Sequence, residues 1–222
     1  MSRRAVAVAG ASAVALAAGA TAWWHADRAP YPYAQRRLLD LPLPFLTSGH
    51  LDAMLDPQPG ERMLEIGPGT GLQALHVARQ LTGHGRLDIV DIQDEMLSHV
   101  MRRASEQNAE RNADQGAEQN ANIVPTRADA RELPFPDATF DAAYLVTVLG
   151  EIPDPGAALC ELRRVLMPSG RLVVGEFFDR HYVSFTGLRR HADRAGLLVS
   201  TRLGPPLAYL ARLRPACSGH AR

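Results

Sequence analysis

Apolar residues recur along the chain in short runs bounded by turn signals. Their spacing predicts strands over Arg62 to Ile66, Arg86 to Asp91, Asn122 to Thr126, Phe140 to Val148, Gly170 to Phe178, Leu197 to Leu203 and Leu207 to Leu213. Helical periodicity occupies Leu72 to Leu81, Asp94 to Asn112 and Pro155 to Leu166. Strands alternating with helices build a mostly parallel sheet covered on both faces, so the expected fold is a doubly wound α/β sheet of seven strands. The last two runs are joined only by Gly204-Pro205-Pro206, too little chain for a crossover helix, and they form a C-terminal antiparallel hairpin.

Two segments break this rhythm. Ala5 to Trp24 carries no charge over 20 residues, behind Arg3-Arg4 and ending on Trp23-Trp24. As a helix it is about 30 Å long, the thickness of a bilayer's hydrocarbon core, although half of it is alanine. Residues 1–29 therefore read as an N-terminal hydrophobic helix with three alternatives: a membrane anchor, an export signal cleaved near Ala20-Thr21-Ala22, or a peripheral or packed helix. Arg3 and Arg4 on one side face Arg28, Arg36 and Arg37 on the other, so flanking charge sets no orientation. Residues 30–60, with Pro30-Tyr31-Pro32-Tyr33 and Leu41-Pro42-Leu43-Pro44, read as a linker with short cap helices, and 61–222 as the functional domain. Within it, Ser105 to Asn120 is polar and repetitive, as a solvated helix end or loop.

Composition narrows the function. A chain of 222 residues with 46% hydrophobic content can bury one full core. Net charge is zero and all 24 basic residues are Arg, without a basic stripe interleaved with aromatics, so nucleic acid is not expected as a partner. Cys160 and Cys217 lie far apart and the eight His are scattered, outside any metal-ligand spacing, so no metal is expected and a reducing compartment is.

The chemistry is concentrated at Glu65-Ile66-Gly67-Pro68-Gly69-Thr70-Gly71, between the first strand and first core helix, where glycines permit a sharp reversal and close approach of backbone to a ligand. The turn is that of a Rossmann-like nucleotide site. Leu72 stands where a dinucleotide fingerprint needs its third glycine, and the Glu65 carboxylate would repel a pyrophosphate. It suits a ligand bearing an ammonium and a sulfonium, such as S-adenosyl-L-methionine. Asp91, 20 residues past Gly71 at the end of the second strand, can accept both ribose hydroxyls. A dehydrogenase shares that distal acid, so an NAD(P)-dependent oxidoreductase is the alternative.

Further blocks follow in order: Asp91-Ile92-Gln93-Asp94-Glu95-Met96-Leu97, Ala128 to Asp137, Phe140-Asp141, and Leu162 to Leu172. With the glycine turn, and over roughly Arg62 to Phe178, the chain resembles the class I S-adenosylmethionine-dependent methyltransferases, within them the UbiE-like quinone C-methyltransferase branch. Met167 and Ser169 depart from the Lys and Gly common there, in a turn remote from the cofactor. The resemblance implies that Asp129 accepts from the adenine amino group and that the Ala130 amide donates to a ring nitrogen. Ile92 and Met96 follow Asp91 closely enough to sandwich the adenine.

Thr147 ends the fourth strand and Leu149 to Asp154 forms a loop over the crevice, without the Asn-Pro-Pro-Tyr pattern of enzymes methylating planar amino groups. Positioning alone can supply much of the acceleration, and a base is needed only where the acceptor loses a proton. Glu151 is the first candidate, then Glu176 and His181. The anchor, the leucine-rich arm and the quinone-branch blocks together point to an apolar or membrane-associated acceptor, quinol-like or lipid. A soluble polar metabolite or a phospholipid amine is the other possibility. Because S-adenosylmethionine is cytosolic, the expected location is membrane-anchored with the domain in the cytoplasm, or simply cytoplasmic.

Overall fold

The computed structural model describes residues 32–35, 45–115 and 122–216. The expected N-terminal hydrophobic helix and its cleavage site lie outside the described residues, as do 36–44 and the end of the polar repeat. Among the described residues no helix is long and apolar enough to cross a membrane.

The central strands β1 (Arg62–Ile66), β2 (Arg86–Asp91) and β4 (Phe140–Val146) are buried along most of their length. A parallel strand covered on both faces has no solvent side, which is why these segments read as continuous apolar runs. With β3 (Asn122–Arg127), β5 (Leu166–Phe177), β6 (Leu197–Leu203) and β7 (Ala208–Pro215) they form one seven-stranded sheet ordered β3-β2-β1-β4-β5-β7-β6. β7 alone runs against its neighbours, as the short Gly-Pro-Pro connection predicts.

Alternation along each strand sorts side chains onto two cores. Met63, Tyr144 and Val173 face the side covered by α1 (Ser48–Leu55), α2 (Leu72–Ala78) and α3 (Asp94–Gln115). Leu64, Leu145 and Val174 face α4 (Pro155–Val165) and α5 (Phe185–Arg194). Side-chain oxygens cap three of these helices: Thr47 accepts from the His50 amide, Asp154 from Ala157 and Ser184 from Gly187.

Three features differ from the sequence expectations. The α5 helix was not foreseen, because its buried stripe is only Leu188 and Ala192 among arginines, too narrow for a strong period. β4 stops at Val146 and the chain turns at Thr147, whose φ of 59° is left-handed. β5 starts at Leu166, and residues 167–170 loop out where pairing jumps from Phe140–Leu166 to Ala142–Arg171, so the departures at Met167 and Ser169 sit in a bulge at the amino end of the strand. Of the foreseen cap helices, a 3-10 turn at Tyr33–Gln35 and α1 fall within the described residues.

The block Leu133 to Asp137 is largely a packing device. The Arg164 guanidinium donates to the carbonyls of Phe135 (2.7 Å) and Leu133 (2.9 Å) and to Asp137 Oδ1 (2.8 Å), while Glu161 accepts the Leu133 amide at 2.8 Å. This pins the loop after β3 onto α4, with Asp129 and Ala130 projecting from its start.

Candidate functional site

Strand order reverses between β1 and β4, and the sheet's carboxyl edge opens there into a cleft of about 590 Å³, in the range of small-ligand sites. Glu65, Gly67, Gly69, Asp91, Ile92, Met96, Asp129, Ala130, Thr147 and Glu151 all line it. The three acids Glu65, Asp91 and Asp129 stand at or just beyond the tips of β1, β2 and β3, adjacent in that order.

The glycine turn is shaped by its neighbours. Gly67 has φ +65°, and a Cβ there would lie 2.6 Å from Val148 Cγ2, so bare backbone is required where β1 meets the loop after β4. Gly71 does not line the cleft; at φ +84° it caps α2, with the Val100 methyls 3.0 Å from where a Cβ would be. Its role here is close packing of α2 on α3, and Arg103 Nη1 steadies the turn by donating to the Thr70 carbonyl at 2.8 Å.

Glu65 is 3% exposed and sits opposite Tyr144 in register, accepting its hydroxyl proton at 2.9 Å. Burial pushes its carboxyl up to about 8, the Tyr144 hydrogen bond pulls the other way, and the nearby Asp91 charge adds to the rise. Burial likewise raises Asp91, against the amide of Gln93, which donates to Oδ1 at 2.9 Å, and that of Ile92. Asp129 is the opposite case. Arg131 donates from its amide and guanidinium at 2.6 to 3.1 Å, so the carboxyl is held below the usual range and stays ionised.

This donor set fits a cationic adenosine-type cofactor. Five acids, Glu65, Asp91, Asp129, Glu151 and Asp179, and a cradle of bare backbone line the cleft, and the one basic side chain among the described lining residues, Arg131, is already tied to Asp129, so nothing there is arranged to neutralise a diphosphate. Sequence reasoning missed Arg131, Gln73, Gln93 and Asp179 in the lining, along with Leu46, Thr47 and Ser48 ahead of β1. Only the last group had a signal, the leucine- and proline-rich arm read as a cap, and Ser48 Oγ fastens it to Gln73 at 3.2 Å.

Glu151 lies in a 3-10 turn, Leu149–Glu151, and lines the cleft together with Ile152, Pro153 and Phe177. Glu176 and His181 do not line the cleft. Glu176 is 2% exposed; its Oε2 accepts the Val183 amide at 3.0 Å, its Oε1 has no hydrogen-bond partner among the described residues, and burial holds it well above the usual carboxylate range. His181 is also buried, with its carbonyl packed so closely on Gly150 that a Cβ there would lie 1.6 Å from the oxygen.

Residues 64–174 match the model of a methyltransferase domain family. The ubiquinone/menaquinone biosynthesis C-methyltransferase UbiE of Ruegeria sp. (strain TM1040) is 34% identical over 161 residues, 71% of this chain and 58% of that protein. The 27-O-demethylrifamycin SV methyltransferase of Amycolatopsis mediterranei (strain S699) is 32% identical over 176 residues, 78% of this chain and 55% of that one. The chain thus spans just over half the length of these curated relatives. A SAM-dependent methyltransferase from Aquifex aeolicus superposes with a TM-score of 0.69 at 17% identity, covering 83% of this chain and 98% of that one, which establishes the shared fold. With half of its residues in the family model and a relative 34% identical over 71% of its length, the chain belongs to the class I S-adenosylmethionine-dependent methyltransferases and is UbiE-like.

Proposed function

We propose that the protein transfers a methyl group from S-adenosylmethionine to a small apolar acceptor, quinol-like or lipid. The observation that carries this reading is the two-sided cleft: an acid-lined half at β1 to β3, and a half walled by Leu46, Val146, Ile152, Pro153 and Phe177 with Glu151 among them. The likeness to UbiE supports a quinone-related acceptor. The bound cofactor supplies a carbon activated for displacement by its sulfonium; everything else is positioning by the chain.

Glu65 faces the ammonium of the donor, Asp91 accepts the ribose hydroxyls, and Asp129 with the Ala130 amide reads the adenine edge between Ile92 and Met96. The strained Thr147 backbone fixes the loop that meets the transferred methyl. Holding two reactants in line contributes on the order of 7 to 11 kcal/mol in the best cases. Where the acceptor is a phenol or a ring carbon, its proton goes to Glu151, the acid of the post-β4 loop that reaches the cleft. Glu176 holds the Val183 amide and so steadies the segment that carries Asp179 into the lining. The uncharged segment 5–24 supports delivery of the acceptor from a membrane.

Incubating the full chain with methyl-labelled cofactor and total lipid of its host, followed by mass spectrometry, tests the reading. A labelled apolar species is expected. Label found only in water-soluble metabolites would replace it.

A further inference from the structure

Among the described residues seven large hydrophobic side chains are well exposed, and six of them sit at one end of the molecule. Phe45 precedes α1 beside the cleft residue Leu46. Leu72 and Ile92 follow β1 and β2 and line the cleft itself. Phe178 follows β5, Leu203 ends β6, and Leu207 precedes β7, with the Phe178 amide donating to the Leu207 carbonyl at 2.8 Å. Because β6 runs with β5 and β7 runs against both, all these positions fall on the sheet's carboxyl edge, around the mouth of the cleft. The seventh, Leu198, lies at the opposite edge.

We infer that this carboxyl edge docks flat on a zwitterionic lipid bilayer, with Phe178 and Leu207 at its lowest point and the cleft opening onto the acyl phase. Apolar side chains gathered on one face around a binding mouth mark an interaction surface, whereas scattered ones do not. Charge selects the partner. Arg127 and Arg131 at this edge are paired with Asp94 and Asp129, and the other two cations there, Arg180 and Arg202, are offset by Glu151 and Asp179, so among the described residues the edge carries no excess positive charge to favour anionic lipid. Chain length selects it too. The uncharged stretch ends at Trp24, nine residues before Tyr33, whose amide donates to the cleft residue Gln93 at 3.2 Å. Nine residues reach at most about 30 Å, so any apolar phase that takes up 5–24 lies within that distance of the rim. The inference rests on the apolar-acceptor reading for its purpose but not for its test.

The test uses the full chain with Trp23→Phe and Trp24→Phe, which removes both native indoles, and phosphatidylcholine vesicles carrying brominated acyl chains. With Phe178→Trp the new indole is expected to lose roughly half its emission on vesicles, as for a side chain buried at the acyl boundary. With Leu198→Trp, at the far edge, emission is expected to stay unchanged. Both variants are checked for unchanged adenosylhomocysteine binding. Equal quenching at the two edges, none at Phe178→Trp, or no vesicle binding overturns the docking geometry. So does a concentration-dependent dimer that Phe178→Ser with Leu207→Ser abolishes, since a second copy would then cover the rim. If detergent-dispersed lipid accepts methyl while the indole stays unquenched, the apolar-acceptor reading stands and the docking falls. Quenching without any lipid methylation gives the reverse.

Discussion

Glu65 is the buried acid of the cleft. Its carboxyl titrates near 8 in the free protein against 4.5 unfolded, so folding takes up a proton between those values. The stability it contributes is complete below about pH 4.5 and is lost as pH rises through 8. Glu65→Gln keeps an acceptor for the Tyr144 hydroxyl and removes the titration. Its melting temperature is expected to match wild type near pH 5 and exceed it increasingly toward pH 8.5. A cationic cofactor favours the ionised form, so its binding should release a proton below pH 8 and tighten as pH approaches 8. Calorimetry in buffers of different ionisation enthalpy reads that release, and its absence in wild type would place the ammonium elsewhere. Asp91→Ala is expected to cost about 1.5 to 3 kcal/mol of adenosylhomocysteine affinity, through lost hydrogen bonds to a charged group. Glu151→Gln should lower kcat by about 100-fold while leaving cofactor affinity unchanged, the signature of a base rather than a binding residue.

At the scale of elements, the strand–turn–helix around Gly67 and the acid ending β2 were legible because their constraints are local: a positive φ demands glycine, and a strand tip sets where its last side chain stands. Arg131 was not legible. Its importance comes from folding back onto Asp129 two residues away, a rotamer that no periodicity encodes. The left-handed turn at Thr147 was hidden for a related reason, since a β-branched residue gives no warning of φ near +60° and the conformation is imposed by the Gly175 carbonyl, which accepts the Thr147 amide at 2.8 Å. The Leu133 to Asp137 block was visible as a motif, but its work turned out to be anchoring by Arg164. Arg164→Met is therefore expected to destabilise the fold by about 1 to 3 kcal/mol in denaturant titration, because two carbonyls and two carboxylates lose their donor. Hydrogen exchange should rise first at the Leu133 amide.

For the whole molecule, the cleft is assembled from the ends of β1, β2, β3 and β4 together with the arm before β1, so ligand binding and global stability are linked. Adenosylhomocysteine at 100 times its Kd should add about 2.7 kcal/mol, or roughly 5 to 10 °C in Tm for a chain of this size. The same concentration should give a smaller shift for Asp91→Ala, in proportion to its weaker binding, and thermal scans at matched protein concentration measure both.

The late position of β7 in the chain has a consequence for biosynthesis. This strand lies inside the sheet, between β5 and β6, yet it is translated after the other described strands. Until Ala208 to Pro215 have left the ribosome, the outer flank of β5 carries a row of open amides and carbonyls beside a largely apolar core, the kind of edge that recruits foreign strands. A nascent chain stalled anywhere before Ala208 is thus a substrate for chaperones or aggregates, whatever the quality of the half already folded.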